Sequence, residues 1–340
     1  MELHHNNHYV PQMYLRNWAN KNKIWVYHLL VPNENFPLWN LHSLEKTASM
    51  QNLYMRIDAG TELDDLEHDF TERFETPAKE PLTKACTDDK LTSDEWKKIT
   101  DYVAAQMIRT PAFQQWERDF LLEIAPAELD KIVDNLQNSS WKTISNSHKP
   151  YEFDGLPIPF SIQKTGNRLD ENHVEVEIST ILGKSYWLML MKSDLKENSE
   201  LRIAMRHLKW SIASAPDGCY WPTSDNPVVI SKISENGLHI VPNGINCDDR
   251  IIFFPISPTR LLIASKKRLV QWRFTADKTL FKIVQRLIVE NAFMYVYHWH
   301  NDMDIPNLRE RTVNLENYKR IHQEYKDWFN QYKESEAPLL

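Results

Sequence analysis

His8-Tyr-Val-Pro-Gln-Met-Tyr-Leu-Arg-Asn-Trp18 is the stretch whose reading organises the chain. A histidine, a glutamine and an arginine are interleaved with Tyr9, Val10, Met13, Tyr14, Leu15 and Trp18, a density of large side chains that termini rarely carry. Pro11 fixes its own φ and drives Val10 toward extended backbone, so residues 8–10 should run extended and a helical turn should open at Pro11. In that turn Gln12 and Arg16 stand four apart on one face. His8 sits at its mouth, within approach of Gln12, while Met13, Leu15 and Trp18 serve packing. The same residues also suit a plain N-terminal plug, with Tyr14, Leu15 and Trp18 buried and His8 and Arg16 satisfying backbone carbonyls.

Outward from this stretch, residues 23–29 read as a strand of β-branched and aromatic residues. Thr61-Glu-Leu-Asp64 has the form of a capping box, followed by Leu63, Leu66, Phe70 and Phe74 on one stripe, with Thr76-Pro77 expected to kink or end the helix. Thr92-Ser-Asp-Glu95 is a second box, opening a helix that buries Trp96, Ile99, Val103 and Met107 and stops at Thr110-Pro111. Helical spacing then runs to Pro126 and resumes over residues 129–136. From about 151 short apolar runs take over. Strands are expected at 174–178, 208–213, 219–221, 228–230, 250–254, 260–263 and 293–299, with a helix at 280–288. The tail repeats Tyr318, Ile321, Tyr325, Trp328, Phe329 and Tyr332 on one helical face, a stripe suited to docking on the body. The fold class is α+β: a helical layer over about 61–138, packed on a largely antiparallel β-rich half, with a C-terminal docking helix. We read a single integrated domain over 1–340. Its soft subdivision falls near 140–150, between a helical part with an N-terminal strand (1–145) and a β-rich part with C-terminal helices (146–340).

Composition narrows the function classes. Hydrophobic residues make up 42% and there are 12 Trp, enough to fill a sizeable core. Only 7 Gly occur, and no Gly-rich phosphate loop is present. The nearest approach, Ile178 to Ser185, ends in Gly183-Lys184-Ser185 but has Ile where the first glycine is required. Three cysteines without CxxC spacing argue against a disulfide framework and fit a reducing cytosol. With no signal-like start and no apolar run near the roughly 20 residues a bilayer needs, a cytoplasmic location and no membrane partner are expected. The formal net charge is −7, but residues 62–80 hold eight acids and residues 260–290 eight bases. The basic stretch suits a phosphate or RNA surface, or simply a solvated face.

Candidate chemistry lies in four places. Thr223-Ser-Asp-Asn-Pro227 is a turn that can present the Asp225 carboxylate and the Thr223 and Ser224 hydroxyls, although Asp225 and Asn226 also suit a self-bonded turn. Gln106 and Arg109 sit three apart near the end of the second capped helix, Gln106 on its apolar stripe, where a polar group needs a partner. Arg202-Ile-Ala-Met-Arg-His207 has the Arg–four–His spacing of HEPN-type ribonucleases, but it is expected only to precede a strand. His298 and His300 flank Trp299 at strand spacing and should point the same way. No HExxH-like motif accompanies them, so no metal ligand and no cofactor are assigned.

The blocks His8-x-x-Pro-Gln-x-Tyr-Leu-Arg16, Gln106-x-x-Arg-Thr-Pro111, Thr223-Ser-Asp-Asn-Pro227 and Phe254-Pro-Ile-Ser-Pro258, in this order, resemble a bacterial family catalogued as domain of unknown function 4238. Where members often carry a His-His pair, Asn7 stands here, so only His8 carries over. The resemblance implies one integrated fold and no reaction. We expect a shared pocket of His8, Gln12, Arg16, Gln106, Arg109 and Asp225. Such a set suits a phosphoester- or nucleotide-processing, nuclease-like enzyme of a toxin or phage-defence system. His8, Asp225 and Arg109 would be catalytic, with Gln12, Arg16, Gln106, Thr223, Ser224 and Asn226 binding substrate. The expected partners are a nucleotide or nucleic acid. The alternatives are a non-enzymatic protein-binding or scaffold protein whose polar blocks are structural, and an RNA-binding protein.

Overall fold

Residues 251–256 and 261–264 are apolar almost without interruption, the pattern of strands covered on both faces. In the computed structural model these runs form Arg250–Ser257 and Arg260–Ser265, the centre of a six-stranded sheet. Its order is Gly237–Ile240, Val229–Ser234, Arg250–Ser257, Arg260–Ser265, Lys209–Ser214, Arg273–Thr275. All neighbours are antiparallel except the last pair. The structure describes residues 3–58, 61–87, 89–138, 160–168, 174–180, 183–235, 237–241, 245, 247–267 and 271–335. The expected subdivision at 140–150 and Arg268 lie outside the described residues.

Two apolar layers cover this sheet. On one face Ile212, Ile230, Ile252, Phe254 and Leu262 pack against the helices Thr76–Cys86 and Ser93–Ile108, with Tyr9, Tyr14, Leu15 and Trp18 of the N-terminal stretch in the same core. On the other face Ala213, Val229, Ile251, Phe253 and Leu261 pack against Phe281, Val284, Leu287 and Ile288 of the helix Lys278–Asn291. The fold is α+β, and its sheet lies between helices. A second, four-stranded antiparallel sheet runs Thr223–Ser224, Tyr295–His298, Lys23–His28, Trp39–Ser43. The helix Leu315–Ser335 docks its aromatic stripe: Tyr325 and Trp328 reach the main core, and Phe329 and Tyr332 meet Met55. Lys184 is enclosed by the rings of Trp328, Phe329 and Tyr332. Among the described residues no helix is long and apolar enough to cross a membrane.

Several local expectations are corrected. Thr61–Leu63 is a strand paired with Arg56–Asp58, and Asp64 caps the next helix without a side-chain bond. Its carboxylate instead accepts the His4 N–H at 2.9 Å. The helix does not stop at Thr76-Pro77. Pro77 has no N–H to return to the preceding turn, and the chain just before it widens into a π-helical segment, Phe70–Glu75, that leads into Thr76–Cys86. Pro126 lies within the continuous helix Pro111–Asn138, at an exposed position where solvent can reach the freed carbonyl. Residues 219–221 are not a strand. Pro216 to Cys219 is a turn with Gly218 at φ +72° and Cys219 N–H bonded to the Pro216 carbonyl. The Arg202 segment does precede a strand, Lys209–Ser214; it is itself the helix Glu200–His207, and Arg202 is buried in an ion pair with Asp101 at 2.7 Å. The box at Thr92 is present with both reciprocal bonds.

Candidate functional site

The N-terminal stretch builds one edge of the candidate site. His8 ends the strand Asn6–His8, Pro11 caps the turn Gln12–Leu15 with extended ψ, and Arg16–Trp18 continues as a 3₁₀ turn. The strand fixes His8, and the turn brings Gln12 Nε2 to 3.3 Å from His8 Nε2. The same His8 nitrogen lies 3.2 Å from the Glu45 carbonyl. The carbonyl needs an N–H and the amide needs a lone pair, so each ring tautomer satisfies one neighbour. Burial lowers the His8 pKa, which favours the neutral ring. Arg16 is exposed on the outer side of the turn.

Arg109 closes the site from below. It caps the C-terminus of Ser93–Ile108 and is 1% exposed. Nη2 donates to the His8 carbonyl at 2.5 Å, Nη1 pairs with Glu75 Oε1 at 2.7 Å, and the guanidinium lies 4.2 Å from the Phe70 ring centroid. Tyr54 donates its hydroxyl to the Arg109 carbonyl at 2.7 Å. Arg109 is therefore a positioning group, its donors directed at protein atoms. Glu75 ends the π-helical segment, and such segments recur at functional sites.

The sequence reading missed Glu67 as a site residue. Glu67 lies in the helix Asp65–Asp69, with Arg109, Glu75 and His4 as charged neighbours and the Asn7 side chain as a hydrogen-bonding one. Desolvation pushes its carboxyl up to about 7, and its Oε2 is buried without a hydrogen-bond partner among the described residues. Glu67 and Glu75 were read only as members of an acidic run. The missed signal was register: Glu67 falls four residues after Leu63 and three before Phe70, on the apolar stripe itself.

The other candidates are held in a second network. Asp225 Oδ1 accepts the Phe293 N–H at 2.8 Å, and Oδ2 accepts those of Met294 at 2.7 Å and Tyr295 at 3.1 Å. Burial pushes this carboxyl up to about 7, while the amide donors pull it down. Asn226 exchanges side-chain bonds with Asn291, donating to the Asn291 carbonyl at 3.1 Å and receiving its amide at 2.8 Å. Ser224 Oγ accepts the Asn226 N–H at 3.2 Å, and Thr223 Oγ1 is 2.6 Å from the Tyr14 hydroxyl, which donates to Pro255 O at 2.7 Å. Gln106 donates to the Tyr9 carbonyl at 2.8 Å. The structure thus joins His8, Gln12 and Arg109 in one cluster and gathers Thr223, Ser224, Asp225 and Asn226 in another. Tyr9 stands between them, bonded to Gln106 through its carbonyl and within electrostatic reach of Asp225.

Two hollows lie apart from the His8 cluster. One, of about 420 Å³, is lined by Trp96, Lys97, Thr100, Arg206, Lys209 and Trp210. Two of its three cations are already committed, Lys97 to Glu197 at 2.9 Å and Arg206 to Asp101 at 2.7 Å. The other, of about 150 Å³, reaches Phe113, Trp116, Asn226 and Asn291. The described bases of 260–290 are spread over two strands, the bend after the first of them and a helix. Lys266 and Lys267 face Asp248, and Arg273 donates to the Thr87 and Asp89 carbonyls.

A family model described as a protein of unknown function, DUF4238, matches residues 6–302. No curated protein and no solved structure matches the chain.

Proposed function

We propose, for a chain that belongs to the DUF4238 family, an acid–base enzyme acting on an anionic phosphoester or nucleotide substrate at the His8–Glu67–Glu75 cluster. The observation that carries this reading is Glu67: a carboxyl with an orphaned buried oxygen and a pKa of about 7, beside the Arg109–Glu75 ion pair. A carboxyl poised near neutrality is suited to general acid or base work. His8, whose Nε2 lies between a donor and an acceptor, is the second proton-handling group. Arg109 fixes His8 through its main-chain carbonyl and Glu75 through the ion pair, and its charge acts on Glu67. Gln12 and the exposed Arg16 are the groups that meet the substrate anion. In its finer form the proposal is a nuclease-like effector of a toxin or phage-defence system.

The test is turnover by the full chain on a panel of nucleotides, RNA, DNA and an activated phosphodiester, with and without divalent metals. Glu67→Gln and His8→Asn should each lower kcat by about 100-fold or more while leaving the fold intact. Arg16→Ala should act mainly on KM. No turnover on the panel, or full activity in both variants, would overturn the assignment.

A second reading, a non-enzymatic binding or scaffold protein, is supported by Asp225. Its carboxylate is engaged by backbone amides, which fits a joint rather than a reactive group. Under that reading Glu67→Gln and His8→Asn change melting temperature alone.

A further inference from the structure

The end of the strand Tyr295–His298 and the turn after it bring together three side chains that belong to neither network above. One ring nitrogen from each of His298 and His300 and one carboxylate oxygen of Asp302 lie within 4.8 Å of one another. His298 is fully buried, and its Nε2 is 3.9 Å from Asp302 Oδ2. Ligands at about 2.1 Å from a tetrahedral ion stand roughly 3.4 Å apart, so the triad closes on an ion with small side-chain rotations.

Neutral imidazoles leave the hydrogen bonds of these groups incomplete. His298 Nδ1 is 3.0 Å from the His300 carbonyl and Nε2 is 3.1 Å from the Tyr220 carbonyl. A neutral imidazole carries one N–H, so whichever tautomer forms, one bare nitrogen faces a carbonyl oxygen lone pair to lone pair. With the proton on Nε2, Nδ1 can take the His300 N–H at 3.3 Å, but it still faces the His300 carbonyl. His300 Nδ1 is buried and has no partner among the described residues. Asp302 is already oriented: Oδ1 accepts the Asp304 N–H at 2.8 Å and Oδ2 lies 3.5 Å from the Gln285 amide.

We propose that His298, His300 and Asp302 form a binding site for a divalent transition-metal ion of the zinc class. His298 Nδ1–H donates to the His300 carbonyl, which frees Nε2 for the ion, the arrangement in which a metal-bound imidazole is fixed by its other nitrogen. The Asp304 amide and Gln285 hold the carboxylate in the same way. Two imidazoles and one carboxylate, without thiolate, select Zn²⁺-like ions over Ca²⁺, Mg²⁺ and Cu⁺. The fourth position belongs to water or to the Tyr220 carbonyl. The ion ties the end of the four-stranded sheet to the loop that begins the helix Ile305–Leu308.

Metal-depleted full-length protein is titrated with Zn²⁺ and, for its visible bands, Co²⁺. One equivalent should bind, with ligand-field absorption of a site made of nitrogen and oxygen donors and a rise in melting temperature. His300→Ala should weaken binding by about 100-fold or more and Asp302→Asn by about tenfold or more, while metal-free melting stays near wild type. His5→Ala and Cys247→Ser should leave binding unchanged. Absence of saturable binding, a sulfur-type Co²⁺ spectrum, or binding retained in both site variants would overturn the proposal. Asp302→Asn, at a partly exposed position, keeps the test decisive if His300→Ala fails to fold.

Discussion

Removal of the Arg109 guanidinium is the perturbation with the largest calculable consequence. Arg109→Met keeps a long side chain over the Phe70 ring but deletes the Glu75 pair and the donor to the His8 carbonyl. Breaking a buried ion pair from one side typically costs about 3–5 kcal/mol. Glu75 retains 19% side-chain exposure and can turn toward water, which places this variant near the lower figure. The orphaned His8 carbonyl adds about 1 kcal/mol, giving about 4 kcal/mol. Glu75→Gln leaves the charge buried but keeps an oxygen that can face Nη1, for a loss of about 2 kcal/mol.

Unfolding entropy of about 2.1 cal/mol/K per residue gives roughly 0.7 kcal/mol/K over the 340-residue chain. Arg109→Met should therefore lower the melting temperature by about 6 °C and Glu75→Gln by about 3 °C. Because the two side chains are partners, the double variant should fall short of the sum by at least about 1 kcal/mol. Scanning calorimetry on the four proteins measures the cycle. A shift under 1 °C for Arg109→Met, or strict additivity, would show that this ion pair does not lock the N-terminal stretch to the helical layer.

Three further outcomes follow from the geometry. Glu67 and Asp225 are both raised to about 7 from ordinary values of 4.5 and 3.8. The folded state therefore binds more protons in the interval between. Their contribution is full below about pH 4, is lost as pH rises through 7, and amounts to something on the order of 3 kcal/mol per carboxyl. Urea midpoints should fall from pH 5 to pH 8, and Glu67→Gln should flatten that slope. Tyr14→Phe leaves the Thr223 hydroxyl and the Pro255 carbonyl without their shared partner, so a loss of about 1–3 kcal/mol is expected in urea unfolding. Thr92→Ala deletes the helix cap, and the same measurement should show a loss of about 1 kcal/mol.

The parts of the fold legible in the sequence are those fixed by local chemistry. Thr92 and Glu95 announce a helix because their reciprocal bonds are made within four residues. The strands around Phe254 announce themselves because both faces are apolar. Illegible were the outcomes set by distant partners. Thr61 became a strand because Arg56–Asp58 pairs with it, and Asp64 gave its carboxylate to His4. The His8–Gln12 approach was readable from Pro11, whereas Arg109 reaches position 8 through its main-chain carbonyl, which motif content does not specify. Glu67 and Glu75 were hidden by their exposed acidic neighbours, and the π-helical widening before Pro77 changes the facing of Glu75 in a way that no 3.6-residue count predicts.

The N-terminal stretch performs two tasks on two faces, and this separates its chemistry from its stability. Tyr14, Leu15 and Trp18 face inward: Tyr14 reaches Pro255, Trp18 Nε1 donates to the Trp221 carbonyl at 2.9 Å, and both rings lie in the main core. His8, Gln12 and Arg16 keep partial or full exposure on the other side. Asn17, near the end of the same turn, donates to the Ile256 carbonyl at 2.7 Å and fixes the turn against the end of a central strand. The inward set is tied to the Phe254–Pro258 block and to Trp221, just before Thr223, so these family blocks are one contact surface seen from both sides. The outward set touches the body through the His8 carbonyl, which Arg109 holds, and through Glu45. Substitutions of the inward set should therefore report as lost stability whatever the protein does, whereas only the outward set and Glu67 can report on chemistry.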